Sequence, residues 1–239
     1  MAERIDKLLS STGRWSRKEA KALLKAGRVT AEGRVLRDPA EKREAEGLYV
    51  DGAPLLVREH TWVLLNKPAG YLSARRDGRD KVVTDLLPPE LRKLFPVGRL
   101  DKDSLGLLLL TDDGPLAHRL LSPRHHVEKE YFVRVQGTLS PADQAAFARG
   151  LPLEDGEPCL PADLMILSDS TARVTLREGK YHQVKRMLAS LGKPVVFLER
   201  VRMGNLTLDS GMKRGEFRFL EEGEVEDLRR VSGLPPKEP

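Results

Sequence analysis

Hydrophobic residues recur along the chain with two different periods. In the first part they follow a helical spacing: Ile5, Leu8 and Leu9 lie at i, i+3 and i+4, which predicts a short helix over residues 4–10. From about residue 60 onward, short apolar runs separated by turn residues are typical of strands. The pattern therefore predicts a small, partly helical unit followed by a larger one rich in strands.

A second helix is predicted after Gly13, which ends the first. Ser16 and Glu19 have the spacing of a capping box, in which the two residues satisfy each other's backbone donors. The helix runs to about Ala26, and Gly27 provides its C-terminal stop. Its inward positions are Ala20, Leu23 and Leu24.

A small hairpin is predicted after these helices, because Arg28-Val29-Thr30 and Arg34-Val35-Leu36 flank Ala31-Glu32-Gly33, which places a glycine at the turn. Residues 1–37 hold ten Lys or Arg and only four Asp or Glu, whereas the whole chain has a net charge of +5. A basic excess concentrated in so short a segment is typical of a module that binds a polyanion. A solvated surface without a partner would produce the same count. The candidate phosphate-binding residues are Arg4, Lys7, Arg17, Lys18, Lys21, Lys25 and Arg28.

The larger unit begins after a short linker at residues 55–59. Its strands and helices mix without a regular βαβ order, which favours an α+β fold with an antiparallel or mixed sheet. A Pro-rich tail is expected from Ser232 to the end. The predicted strands cover residues 61–65, 106–111, 130–137, 172–177, 194–201 and 216–220, and the predicted helices cover 84–87, 115–121, 141–149 and 182–191.

Composition excludes several classes of protein. The chain has 239 residues, of which 40% are hydrophobic, enough for a buried core. Its single cysteine, Cys159, excludes an intrachain disulfide framework and fits a reducing compartment. The opening MAERIDKLLS lacks the apolar core of a secretory signal, and the densest apolar run is too short to span a bilayer. We therefore expect a cytoplasmic protein with no membrane partner.

Three polar patches could carry chemistry. The first, Asn66-Lys67-Pro68-Ala69-Gly70, directly follows a strand, and its proline and glycine predict a shaped loop. A generic turn would have the same composition.

The second patch, residues 98–104, precedes the apolar run Gly106–Leu110. Asp101 would lie at the mouth of a buried strand, a rigid position that suits a nucleophile or a general base. An ion pair with Arg99 and a helix cap are structural alternatives. A calcium loop is excluded, because Leu105 occupies the fifth ligand position and the bidentate Glu is missing.

The third patch, residues 178–187, is a glycine turn that opens a helix carrying Lys185 and Arg186. These cations could pair with an aspartate or a phosphate, or simply face solvent.

Motifs of other chemistries are missing: the sequence has no Walker loop, no G-x-G-x-x-G after a strand, no G-x-S-x-G and no zinc spacing. His182 is accordingly interpreted as structural.

The first unit resembles the S4-type RNA-binding domain, which implies binding to structured RNA and supplies no chemistry. The resemblance covers about residues 2–58 and includes the opening Arg-Ile-Asp-Lys and the Gly-Arg-Val-Thr turn within "RIDKLLSSTGRWSRKEAKALLKAGRVTAEGRVL".

The larger unit resembles the pseudouridine synthase superfamily, in the branch that modifies ribosomal RNA and carries an S4 domain. Four segments match its motifs in order: "LLNKPAGYLS", the catalytic "GRLDKDSLGLLLLTDDG", "EKEYFVRV" and "EGKYHQVKRMLASLG". Ser104, Leu105 and Asp112 depart mildly from the usual catalytic motif. The resemblance implies two domains, residues 1–58 and 60–231, with a tail at 232–239.

This resemblance implies that the protein isomerises uridine to pseudouridine with no cofactor and no metal. Asp101 matches the catalytic carboxylate, and Lys185 the basic residue that keeps it ionised. Tyr131 matches the tyrosine that stacks on the uracil, and Arg99 the residue that replaces the base when it flips out of the helix. Weaker candidates for phosphate contacts are Arg124 and Arg186.

Within the branch, "SPRHHVEKEY" and "YHQVKRM" are most similar to the small-subunit enzymes, which implies a ribosomal RNA partner and uridine 516 of 16S rRNA as target. A single-chain enzyme with an attached RNA-binding arm needs no partner subunit, so we expect a monomer. Two alternatives stay open. The chain could modify large-subunit (23S) rRNA, or it could be a non-catalytic RNA-binding or ribosome-assembly factor that retains the fold.

Overall fold

The chain divides into two compact units, the first ending at Thr61 and the second beginning at Trp62. No helix among the described residues is long and apolar enough to cross a membrane. The computed structural model describes residues 2–12, 14–55, 60–153 and 155–235.

The first unit combines two helices with short strands. Strands β2, β3, β5 and β6 form one antiparallel sheet in the order β3-β2-β5-β6, and β1 pairs with β4. The apolar faces of both helices pack on this sheet through Ile5, Leu9, Leu24, Val29 and Leu48. The elements are β1 (Glu3–Arg4), α1 (Ile5–Ser11), α2 (Arg17–Lys25), β2 (Val29–Ala31), β3 (Arg34–Val35), β4 (Lys42–Arg43), β5 (Leu48–Val50) and β6 (Ala53–Pro54).

Local sequence signals explain these elements. The predicted capping box is present: Glu19 donates its backbone N–H to the Ser16 hydroxyl at 3.3 Å, and the Glu19 carboxylate accepts from the Ser16 N–H at 2.7 Å. Gly27 has φ +72°, a conformation that favours glycine after a helix. The predicted hairpin is confirmed by the antiparallel pairing of β2 and β3. The predicted stop at Gly13 lies outside the described residues, and α1 extends to Ser11.

The second unit is built on one mixed sheet with the strand order β11-β12-β10-β13-β9-β7-β15, to which β14 adds beside β13 and β8 beside β9. Every pairing is antiparallel except that of β9 with β13. The predicted α+β class is confirmed. Its strands are β7 (Trp62–Lys67), β8 (Phe95–Pro96), β9 (Leu105–Thr111), β10 (Lys129–Val135), β11 (Asp163–Ser168), β12 (Thr171–Leu176), β13 (Val195–Met203), β14 (Leu206–Thr207) and β15 (Phe217–Phe219).

Two apolar clusters cover opposite faces of the central strands. Along β9, Leu108 and Leu110 belong to one cluster, and Leu107 and Leu109 belong to the other. A strand covered on both faces has no polar side, which explains why this run is continuously apolar. The helices of this unit are α3 (Gly114–Leu121), α4 (Pro141–Arg149), α5 (Gln183–Ser190) and α6 (Glu222–Val231).

Several sequence predictions for this unit need correction. The helix predicted over residues 84–87 is a 3-10 turn at Val83–Leu86, and the sequence did not predict β8, β11, β14 or α6. The expected tail starts at Ser232, but Ser232 is buried and Leu234 donates its N–H to Arg229 O at 2.9 Å. The folded part therefore continues past Ser232, and residues 236–239 of the tail lie outside the described residues.

Candidate active site

The parallel pairing of β9 and β13 brings the second and third polar patches together. Because two parallel strands start at the same edge of a sheet, the segments that lead into them meet there. Asp101 lies in the loop just before β9, and α5 lies just before β13. The pairing itself is close: a Cβ atom on Gly106 would lie 2.2 Å from the Arg200 carbonyl oxygen, so only glycine fits at this point of β9.

The Asp101 carboxylate is held on both oxygens. Lys185 Nζ lies 3.0 Å from Oδ2, and His182 Nε2 lies 3.1 Å from Oδ1. The Ser104 hydroxyl donates to Oδ2 at 3.4 Å. The Asp101 side chain keeps 22% of its surface exposed, so the carboxylate remains open to a substrate.

Lys185 bridges two carboxylates, since its ammonium also contacts Asp103 Oδ1 at 2.6 Å. Burial alone would lower the pKa of Lys185, but the hydrogen bonds to Asp103 and Asp101 outweigh burial and raise it. The hydrogen bond from Lys185 in turn lowers the pKa of Asp103. A fixed positive charge therefore faces the Asp101 carboxylate at neutral pH.

The Lys67 side chain holds the loop that contains Asp101 by hydrogen bonds to its backbone. This side chain is fully buried at the end of β7, and its ammonium donates to the carbonyls of Asp101 at 2.9 Å and Ser104 at 2.7 Å. It also contacts the carbonyls of Pro68 at 3.1 Å and Lys102 at 3.4 Å. Burial, opposed by Asp101 and Asp103, lowers the pKa of Lys67 to about 8. The first patch is thus more than a generic turn, because it supplies the cation around which the Asp101 loop folds.

His182 is a site residue that the sequence interpretation assigned only a structural role. It precedes α5 with φ +49°, a left-handed conformation that aims its imidazole at Asp101. Its ring stacks on the Tyr181 ring at a centroid distance of 3.8 Å and an angle of 19°. Tyr181 is 72% exposed. The proposed ion pair of Asp101 with Arg99 is absent from the described contacts, and Lys185 and His182 take that place.

The other predicted site residues occupy three kinds of environment. Tyr131, on β10, is 9% exposed and belongs to the same apolar cluster as Leu100 and Val184, the neighbours of Asp101 and Lys185. Arg99 and Arg124 are exposed and form no ion pair with the described residues. Arg186 is instead paired with Asp155 at 2.6 Å and with Glu157 at 3.6 Å.

The candidate phosphate-binding residues of the first unit divide into two groups. Three have acidic neighbours: Arg4 pairs with Asp6, Lys7 with Glu3 and Arg28 with Asp51. The others are exposed on α2 and form no ion pair with the described residues. These are Arg17, Lys18, Lys21 and Lys25.

Family models match both units. Residues 61–190 match the family described as RNA pseudouridylate synthase, and residues 3–44 match the S4 domain. Matching segments therefore cover Asp101, Tyr131, Lys185 and the basic face of α2.

Full-length relatives support the same assignment. An uncharacterized RNA pseudouridine synthase of Bacillus subtilis (strain 168), YtzG, is 44% identical over 230 residues, 93% of this chain and 96% of the relative. Ribosomal small subunit pseudouridine synthase A of Escherichia coli (strain K12) is 39% identical over 227 residues, 93% of this chain and 98% of the relative.

A solved structure extends the likeness to three dimensions. A crystal structure of a pseudouridylate synthase superposes with a TM-score of 0.68 and 35% sequence identity, covering 95% of this chain and 99% of the other. The chain therefore belongs to the RNA pseudouridine synthase family, with an S4 domain preceding its synthase domain.

Proposed function

We propose that this protein isomerises one uridine of 16S ribosomal RNA to pseudouridine, with Asp101 as the catalytic carboxylate. The observation that carries the proposal is the contact of the Asp101 carboxylate with the Lys185 ammonium at 3.0 Å, in a site that remains partly exposed. Family membership provides the reaction, and this contact supports Asp101 as its carboxylate, because a fixed cation lies against it.

The reaction is an isomerisation, so uridine and pseudouridine contain the same atoms. The bond from the ribose C1′ to uracil N1 breaks, the uracil rotates, a bond from C1′ to C5 forms, the C5 proton leaves and N1 gains a proton. An ionised aspartate is suited to covalent assistance of the first step. Lys185 would hold one carboxylate oxygen, and the oxygen contacted by His182 would face the substrate once the imidazole moves aside.

Two further residues would assist flipping of the target nucleotide and the reaction of its uracil. Flipping a nucleotide out of a helix costs a few kcal/mol, and the exposed Arg99 guanidinium, free of ion pairs with the described residues, could stack in the vacated position. Tyr131 would stack on the uracil and assist removal of the C5 proton. Its place in the apolar cluster beside Leu100 and Val184 supports a role next to Asp101.

The two units would divide the work. In this proposal residues 1–58 capture RNA by charge, residues 60–231 perform the chemistry, and residues 232–239 form a terminal segment. One chain supplies every proposed catalytic group, so a monomer acting on rRNA in the cytoplasm suffices. The small-subunit name of relatives at 39% identity supports 16S rRNA as the substrate, and uridine 516 is the proposed target.

Tritium release from 5-tritiated uridine in 16S rRNA tests the reaction. We expect the wild type to release tritium and Asp101→Asn to lose at least about 1,000-fold in rate, because the amide can neither ionise nor attack. Asp163→Asn is a matched control, since Asp163 is an exposed residue of β11. A wild type that binds rRNA tightly and releases no tritium would favour the non-catalytic alternative.

Mapping pseudouridine in both rRNAs of a deletion strain tests the target. Loss of a site in the small-subunit RNA is expected, and loss restricted to the large-subunit RNA would contradict the proposed specificity.

A further inference from the structure

The loop that follows the first polar patch carries a concentration of cations. Residues 74–81, here named the arginine loop, contain Arg75, Arg76, Arg79 and Lys81 and only two acidic residues. All four cations are exposed, and none forms an ion pair with the described residues. The Lys81 ammonium lies 6.0 Å above the ring of Tyr71. Four cations are therefore available to an outside partner.

The acidic residues of the arginine loop hold the loop instead of neutralising its arginines. Asp77 Oδ1 accepts the backbone N–H groups of Arg79 and Asp80, each at 2.8 Å, and these hydrogen bonds lower the pKa of Asp77. Asp80 pairs with Lys102 at 2.5 Å. Both carboxylates are thus committed to the fold, which leaves the three guanidinium groups free.

Hydrogen bonds join the two ends of the arginine loop to each other and join its first end to the segment that contains Asp101. Leu72 donates to Lys81 O at 2.9 Å and accepts from Val83 N at 3.0 Å, so the two ends of the loop lie together. The buried Ser73 hydroxyl donates to Leu100 O at 2.8 Å and accepts from Leu100 N at 2.9 Å.

These hydrogen bonds determine where the arginine loop lies relative to Asp101. Leu100 and Lys102 are the chain neighbours of Asp101, and both are bonded to the arginine loop or its base. The position of the loop is therefore fixed relative to the reacting carboxylate, and part of the entropy cost of ordering the loop is met before a ligand arrives.

We infer that the arginine loop binds the phosphodiester backbone of the substrate RNA beside the target uridine. Guanidinium groups match phosphate oxygens in geometry and charge, and phosphate contacts fix the register of a nucleic acid. The inference rests on the proposed function for the identity of the RNA. An acidic protein surface is the competing partner, and the salt dependence of rRNA binding and directed cleavage of the RNA separate the two.

The salt dependence of binding is the first test. The triple variant Arg75→Gln/Arg76→Gln/Arg79→Gln removes three exposed cations that form no ion pair with the described residues, so its fold is expected to persist. Each lost phosphate contact on single-stranded RNA lowers the slope of log K against log salt by about 0.7, so the slope for 16S rRNA should fall by about 2. KM should rise, and kcat should stay unchanged.

Arg79→Gln and Arg149→Gln form a matched pair of single changes. Arg149 is an exposed arginine at the end of α4 with no ion pair among the described residues. Arg79→Gln should lower the slope, and Arg149→Gln should leave it at the wild-type value. Equal slopes for the wild type and the triple variant would overturn the inference and favour another kind of partner for the loop.

Directed cleavage locates the contact. Gly78 lies in the arginine loop, and a Cβ atom there meets nothing within 4 Å, as is also true of Gly223 in α6. Because Cys159 is buried, Gly78→Cys and Gly223→Cys each provide one accessible thiol for an iron–EDTA probe. Cleavage of 16S rRNA should cluster around the modified uridine only with Gly78→Cys. No excess over the Gly223→Cys pattern would overturn the inference.

Failure of the inference and failure of the proposed function give different results. A wild type that forms pseudouridine, with unchanged slopes in the loop variants, refutes only the arginine loop. A wild type that forms none, with slopes that fall in the loop variants, refutes only the proposed reaction.

Discussion

The cations on α2 and the cations around Asp101 differ in how the protein holds them. Arg17, Lys18, Lys21 and Lys25 are exposed and unpaired among the described residues. Lys185 and Lys67, by contrast, each have fixed partners at 2.6–3.4 Å. A charge that attracts RNA at a distance needs no fixed geometry, whereas a charge that tunes one carboxylate does. Loss of a cation near Asp101 should therefore affect catalysis or stability, whereas loss of a cation on α2 should affect only the affinity for RNA.

Replacing Lys185 should produce the largest difference between the two groups. Lys185→Gln removes the ammonium from Asp101, and loss of such an electrostatic partner costs about 10³-fold in kcat, while affinity for rRNA stays near the wild-type value. Single-turnover rates and filter binding measure the two quantities.

Lys21→Gln is the control, because it removes an equal charge from α2 and should leave kcat unchanged. Loss of less than tenfold in kcat for Lys185→Gln would mean that the contact with Asp101 has no catalytic weight.

Replacing Lys67 should act on stability. Lys67→Met leaves the carbonyls of Pro68 and Ser104 without their ammonium donor, and unfolding free energy should fall by about 3 kcal/mol at pH 7. Lys25→Met, at the exposed end of α2, should change it by less than about 0.5 kcal/mol. Urea denaturation followed by circular dichroism measures both.

The difference in stability between the wild type and Lys67→Met should depend on pH. Lys67 has a folded pKa of about 8 against an ordinary value of 10.5, so between these values the unfolded chain holds a proton that the folded protein has lost. Stability attributable to Lys67 therefore rises with pH across this window. The difference in unfolding free energy between the wild type and Lys67→Met should therefore grow between pH 8 and pH 10. A constant difference would show that Lys67 does not titrate there.

The smallest effect is expected on α2. Lys18→Gln should lower the salt slope of rRNA binding by about 0.7 to 0.9 and leave kcat unchanged, and Lys18→Arg should restore the slope because only charge is required. A Lys18→Arg variant as weak as Lys18→Gln would show that the α2 face binds RNA through specific geometry, like the Asp101 site.

The elements that the sequence predicts correctly are those with a local signal. The capping box of Ser16 and Glu19 depends on residues three apart, and the continuous leucines of β9 reflect cover on both faces. Strand β11 has no such signal, because it is an edge strand on which Met165 and Leu167 point outward. For α6, the spacing of Val225, Leu228 and Val231 was a signal that could have predicted the helix.

The candidate site depends on distant contacts, which explains what was missed. Asp101 and Lys185 were assigned by motif resemblance, and the structure brings their side chains into contact. Nothing in the sequence near Lys67 indicates that its ammonium meets carbonyls 34 residues away. The left-handed backbone of His182, which aims the imidazole at Asp101, is equally invisible in a residue pattern.

Gly106 has a consequence for how this protein can change over generations. Any other residue there would place a carbon 2.2 Å from the Arg200 carbonyl, so β9 and β13 would have to move apart, and the segments carrying Asp101 and Lys185 would move with them. Selection would thus remove substitutions at this codon for their effects on stability and activity together. Gly78, where a Cβ atom meets nothing within 4 Å, would by contrast accept a side chain without displacing its neighbours.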